Sequence, residues 1–238
     1  MLQPVATSSP SQETVSHKPP TNKATNGTAK KVDTAVENCF DKIKKGYSKP
    51  FKITGFVISN DKNPDQNLCD FKTSLKTKIL AYPDNEKPSE IVKILSSESH
   101  LTPEQATRLT AFIQARDTLV VWKEIASSIE VEEDFSELFV SFNAIIKKAA
   151  DFSDWVCNHK EQLNNLTWLS LRNNQLTSLP TEIGQLTSLQ TLYLWDNQLT
   201  SLPPQIGQLT GLQKLYLWDN QLTSLPPQIG QLTGLQKL

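Results

Sequence analysis

Little in this chain announces chemistry: three cysteines, three histidines and one methionine are spread over 238 residues. Cys39, Cys69 and Cys157 are far apart and odd in number, which excludes a disulfide framework and suits reduced thiols in a cytosol-like compartment. His17 and His100 stand alone, so a zinc site lacks ligands and no metal is expected. Cys157 and His159 lie two apart, a spacing at which helical neighbours point away from each other, so they make a poor nucleophile and base. No phosphate-cradling glycine loop is present, and no cofactor is expected. No apolar run approaches the roughly 18 residues that span a bilayer, and the N-terminus has no compact apolar signal core. Lys plus Arg number 24 against 25 Asp plus Glu, so no strong field favours nucleic acid or an anionic membrane.

What the chain does have is repetition. Leu166, Leu189, Leu212 and Leu235 each open the pattern LxxLxLxxNxL, at a period of 23 residues. Leu192 to Lys214 is identical to Leu215 to Lys237. A fixed period in this range marks stacked coils, and this consensus is that of a leucine-rich repeat. The expected fold is therefore an α/β leucine-rich-repeat solenoid over 166–238, with three repeats and a partial fourth.

The spacing has a physical reading. Leu192 and Leu194 flank Tyr193 in a short strand, so the leucines point one way while Thr191, Tyr193 and Trp195 point the other. Asn174, Asn197 and Asn220 fall where each strand turns away, and an inward amide there can pair backbone groups that the bend leaves open. They are expected to form a ladder. Leu199, Leu202, Ile206 and Leu209 line the return limb, Pro203 and Pro204 keep it from adding strands, and Gly207 lets it turn toward the next coil. One coil cannot offset its own ordering entropy by burial, so each depends on its neighbours.

Ahead of the repeats, residues 1–31 are rich in Ser, Thr, Pro, Asn and Lys and read as a disordered arm, either a leader for specialised bacterial secretion or a plain flexible tail. Residues 32–85 read as a small α+β or irregular segment. There Ala35 to Ile43 has helical spacing and Phe51 to Ser59 suits a strand, while Asp70 to Ile79 fits either a strand or one face of a helix. Residues 86–165 are mostly helical. Thr102, Pro103 and Gln105 form a helix start, and the stripe from Leu109 to Ile125 shows an interruption near Asp117. A further helix is expected to carry Phe135, Leu138, Phe139, Phe142, Ile145 and Ile146, with Glu130, Glu132, Glu133 and Asp134 at its start. The last piece, Phe152 to Leu163, places Trp155, Val156 and Leu163 to cap the open end of the leucine core.

The phrases LTSLPTEIGQLTSLQTLYLWDNQLTSLPPQIGQL, DTLVVWKEIA and FSDWVCNHKEQL resemble bacterial leucine-rich-repeat proteins of chlamydia-like intracellular bacteria. The resemblance implies a host-directed effector or adaptor, exported into a host cytosol, that binds a protein or peptide on the concave face of its sheet. Relatives with a ubiquitin-ligase domain, or an F-box-like adaptor over residues 86–160, are the alternatives, although the helical segment shows no matching cysteine motif and residues 86–160 lack the Leu-Pro opening of an F-box. A plain structural spacer is a third.

On that face the candidate residues are Trp168, Ser170 and Arg172 from the first strand, Thr191, Tyr193 and Trp195 from the second, and Lys214, Tyr216 and Trp218 from the third. Their aromatic strip has charged edges at Arg172, Lys214, Asp196 and Asp219, and aromatic and arginine side chains dominate binding hot spots. After Leu238 no polar cap follows, so Leu222, Leu225, Ile229 and Leu232 are expected to face water, as in a fragment of a longer array or an end that self-associates.

Overall fold

The computed structural model describes residues 51–53, 56–58, 64–96, 102–135, 139 and 141–238. The expected arm at 1–31, the helix at Ala35 to Ile43, Cys39, His17 and His100 lie outside these residues. Where one strand was expected from Phe51 to Ser59, two short ones pair antiparallel: β1 (Phe51–Ile53) and β2 (Phe56–Ile58), with Ile53 opposite Phe56.

The ambiguous stretch that follows is helical. Helix α1 runs Pro64–Leu80 and buries Phe71, Leu75 and Ile79, spaced at four, while Thr73 and Thr77, which a strand would have put on the same face as those three, are exposed. Its packing against the next long helix puts the start of the helical layer ahead of residue 86. After α2 (Ser89–Ser96), helix α3 spans Pro103–Ser128. It opens with a reciprocal cap: the Gln105 N–H donates to Thr102 Oγ1 at 3.1 Å, and the Thr102 N–H donates to Gln105 Oε1 at 2.9 Å. No break occurs at Asp117; the helix runs through it, and the charge is buried instead of turned outward.

The acidic cluster does not start a helix. Glu130 follows the end of α3 with a φ of 57°, and 131–135 is irregular. Helix α4 begins only at Phe142 and runs to Ala150, its N-terminus capped by Ser141 Oγ, which accepts from the Ala144 N–H. Glu133 instead meets Lys148 at 3.0 Å, and that ammonium lies 4.4 Å over the Trp122 ring, strapping the irregular segment to the helices. Two short helices follow, α5 (Phe152–Asn158) and α6 (Lys160–Leu163). Trp155, Val156 and Leu163 are all buried, and Trp155 packs 5.6 Å from Trp122 and 4.4 Å from the His159 ring.

From there the chain repeats one unit, a three-residue strand followed by a short 3-10 helix. The strands β3 (Trp168–Ser170), β4 (Thr191–Tyr193) and β5 (Lys214–Tyr216) form a parallel sheet in sequence order. The 3-10 helices are Thr181–Gln185, Pro204–Gln208 and Pro227–Gln231. Pro203 and Pro204 therefore set the first turn of a helix, beyond merely blocking a strand. Gly207 is needed for close approach and not for a turn: a Cβ there would sit 2.6 Å from the Gln228 carbonyl oxygen of the next coil. In the second coil, Leu189, Leu192, Leu194, Leu199, Ile206 and Leu209 are wholly buried. The last coil departs from expectation at Leu232, which is only 4% exposed, whereas Leu225 is 37% exposed and Leu222 and Ile229 are half-buried.

One hydrophobic core runs from Phe71 in α1 to Leu232 in the last coil, and α3 lies against β3. The first coil is thus met at β3 by the long helix and at its 3-10 helix by α5, the helix that carries Trp155. A buried polar junction fixes the two parts together. Asp117 Oδ2 accepts from the N–H and hydroxyl of Thr177 at 2.9 and 2.7 Å, and from the N–H and hydroxyl of Ser178 at 3.0 and 3.2 Å. Its neighbour Arg116 donates to Glu86 at 2.8 Å and to the Asn174 carbonyl at 2.7 Å, and lies 4.4 Å over the Tyr82 ring.

Burial raises the Asp117 carboxyl above the ordinary aspartate value, against the opposing pull of the Thr177 hydroxyl, Arg116 and the two turn amides. The folded chain therefore holds a proton there that the unfolded chain releases, and Asp117's contribution to stability falls as pH rises from the ordinary aspartate value through the raised one. Urea denaturation should show the wild type losing stability relative to Asp117→Asn across that window; a pH-independent difference contradicts the junction's electrostatics. Asp117→Ala should cost about 3 kcal/mol or more, because it strands the Thr177 and Ser178 donors and leaves Arg116 without its neighbour.

Candidate protein-binding face

The sheet's outward face follows from its register. Trp168, Thr191 and Lys214 pair across the three strands, as do Leu169, Leu192 and Leu215, and as do Ser170, Tyr193 and Tyr216. Leucines in the middle row are fully buried, so both flanking rows face away from the core. Pairing continues past the strands, with the Leu171 N–H donating to the Tyr193 carbonyl at 2.8 Å and the Leu194 N–H to the Tyr216 carbonyl at 2.9 Å. That carries Arg172, Trp195 and Trp218 into a third outward row.

Identical neighbours then stack. The Tyr193 and Tyr216 rings are nearly parallel at 3° with centroids 4.9 Å apart, and Trp195 and Trp218 lie 5.6 Å apart at 12°. Cations close one end of each stack: the Arg172 guanidinium lies 5.3 Å over Trp195, and the Lys237 ammonium 4.9 Å over Tyr216. Trp168 and Trp218 are 57% and 51% exposed, Arg172 and Lys214 are exposed, and Ser170, Thr191, Tyr193, Trp195 and Tyr216 are half-buried. All nine candidates thus lie on one surface.

The turn that ends each strand was only partly readable. Asn173, Asp196 and Asp219 adopt left-handed backbone, with φ of 54°, 58° and 54°. Asn and Asp tolerate that region better than other side chains with a Cβ, so Asp196 and Asp219 are there for the bend as well as for charge. The bend aims the next asparagine inward. Asn197 Oδ1 accepts from the N–H groups of Asn174 and Leu176 at 3.1 and 2.9 Å, while Nδ2 donates to the carbonyls of Leu171 and Leu194 at 2.8 and 2.9 Å. Asn220 repeats this toward Leu199, Leu194 and Leu217.

Asn174 departs from the expected ladder. No coil precedes it, its side chain donates only to the Arg172 carbonyl at 3.2 Å, and its own carbonyl is taken by Arg116. The helix supplies the contact that a preceding coil would make.

The remaining candidates for chemistry do not converge. Cys157 is exposed, while the His159 ring stacks on Trp155 with Nδ1 2.8 Å from the Trp155 carbonyl. Among the described residues no group of three or more His, Cys, Asp or Glu side chains is placed to hold a metal ion, and no helix is long and apolar enough to cross a membrane.

Residues 146–238 match a family described as "Leucine-rich repeat region". That match, together with the stacked strand and 3-10 units, supports a leucine-rich repeat fold over these residues. Among solved structures, a leucine-rich-repeat protein of Leptospira interrogans is similar at 29% identity over 35% of this chain, with a TM-score of 0.21. The chain spans 33% of that protein's length. No curated protein matches it.

The asparagines yield a graded prediction. Asn197→Ala strands the buried Leu176 N–H and Leu171 carbonyl and the half-buried Asn174 N–H, the Leu194 carbonyl keeping its bond from Asn220, and should cost about 3 kcal/mol. Asn220→Ala in the more open coil should cost less, and Asn174→Ala should stay within about 0.5 kcal/mol of wild type. Denaturation midpoints of the three variants check this order. Equal losses at all three positions would contradict it.

Proposed function

We propose that the outward face of β3, β4 and β5 is a protein- or peptide-binding surface, and that the chain works as a leucine-rich-repeat interaction module without catalysis of its own. The observation that carries this reading is the placement of Tyr193, Trp195, Tyr216 and Trp218 on the solvent side of strands whose core side is already filled by leucine. Nothing in packing the core requires rings there. Stacking across strands does stabilise the sheet, which is the spacer reading, but about half of Trp168 and of Trp218 remains in water. Large rigid side chains with a polar tip and a neighbouring arginine offer contact area at small entropic cost. The matched repeat family supports the same class of activity, since such repeats generally serve protein interaction.

The test is a random-peptide library displayed on phage and selected against the full chain. Selected peptides should lose about tenfold or more in affinity on the Trp195→Ala, Trp218→Ala double variant, with its melting transition retained. Peptides that bind the double variant equally well would contradict the face as the site, and a selection without binders would contradict the function.

A further inference from the structure

The two aromatic rows differ at their first rung. In the third row every rung is filled: Arg172 covers Trp195, and Trp195 covers Trp218. In the row beside it, Tyr216 is covered by Lys237 and Tyr193 by Tyr216, but the strand register puts Ser170 where the next ring of the stack would stand. A hydroxymethyl group cannot cover a phenol face. Among the described residues the ring contact of Tyr193 is with Tyr216, so no ring covers its Ser170 side.

The surroundings of this gap have a definite chemistry. Ser170 lies in β3 between two outward side chains, the half-exposed Trp168 and the exposed Arg172, whose guanidinium is held one row across on Trp195. The floor is small and half-buried, one wall is a ring face, and the outward charged side chain two residues on is the Arg172 guanidinium. A ring entering here would continue a stack whose spacing is already set at 4.9 Å. A carboxylate beside that ring would pair with Arg172, whose planar fork suits bidentate contact. A lysine or quaternary ammonium would find only one ring and a repelling guanidinium.

Resting on the binding reading above, we infer that the gap at Ser170 is the anchor point of the face. It takes one aromatic side chain of a peptide, which stacks on Tyr193, while an adjacent acidic residue pairs with Arg172. The partner is thus an acidic peptide segment with an exposed aromatic residue, and it binds by completing the tyrosine stack.

The same peptide selection tests this separately. The selected peptides should share an aromatic residue next to an aspartate or glutamate. Ser170→Tyr fills the rung from within and should weaken them about tenfold or more, and Arg172→Gln, an exposed change that does not depend on refilling the gap, should weaken acidic peptides more than their amide counterparts. Near-ultraviolet circular dichroism and the melting transition check that Ser170→Tyr folds. If the double tryptophan variant abolishes binding while Ser170→Tyr and Arg172→Gln bind as wild type, the anchor is overturned and the binding face stands. Selected peptides that are basic, or that lack an aromatic residue, also overturn it.

Discussion

Residue-by-residue pairing of each strand with the strand one repeat later is the constraint from which the rest follows. Because the pairing is in parallel register, whatever a position points at in one coil it points at in the next. Leucine over leucine gives a continuous core, and tyrosine over tyrosine gives a stack on the other side of the same backbone. Neither could be shifted alone. A slip of one residue would turn the leucines into water and the rings into the core. The left-handed residue at Asp196 and the inward amide of Asn197 keep that register by turning the chain at the same point in each coil.

A stack of this kind has no neighbour for its first coil, and here a helix stands in for one. Helix α3 covers β3 with apolar side chains, while Asp117 and Arg116 supply acceptors and donors for the turn at 174–178. The arrangement is costly. Lys78 Nζ, Tyr82 Oη and Asp117 Oδ1 are buried without hydrogen-bond partners, and burial lowers the Lys78 ammonium and raises the Tyr82 phenol well above its usual range. An apolar contact would dock the helix anywhere along its stripe. A carboxylate holding two consecutive amides and their hydroxyls docks it in one register, and so sets where the first strand of the binding face begins.

How much of this was legible depended on how far apart in the chain the interacting residues lie. The repeat could be read because its partners recur at fixed spacing and its pattern is strict. The helix start at Thr102 was legible for a similar reason, since its capping residues are three apart. Asp117 was not: a single acid in an apolar stripe looks like an interruption, and its partners Thr177 and Ser178 lie some sixty residues away. Asn174 matches the consensus letter for letter yet lacks the role, because the amide acts on a preceding coil and none precedes it. Helical spacing runs from Phe135 to Ile146 in the sequence, but the described helix starts only at Phe142, where Ser141 caps it, while the Glu133 to Lys148 contact holds the irregular 131–135. Leu138 lies outside the described residues. The outward rows were visible as alternation, whereas the gap at Ser170 became visible only once the register set it beside two stacked rings.

Solvent exchange of the five indole N–H groups, followed by nitrogen-edited NMR on the isolated chain, tests the central claim most directly. Trp122 and Trp155, whose Nε1 atoms are buried, should exchange slowly, and Trp168, Trp195 and Trp218 should exchange fast. Slow exchange at Trp195 and Trp218, matching that of Trp122, would mean that the rings are already covered by the chain itself and that the strand face is not open to a partner.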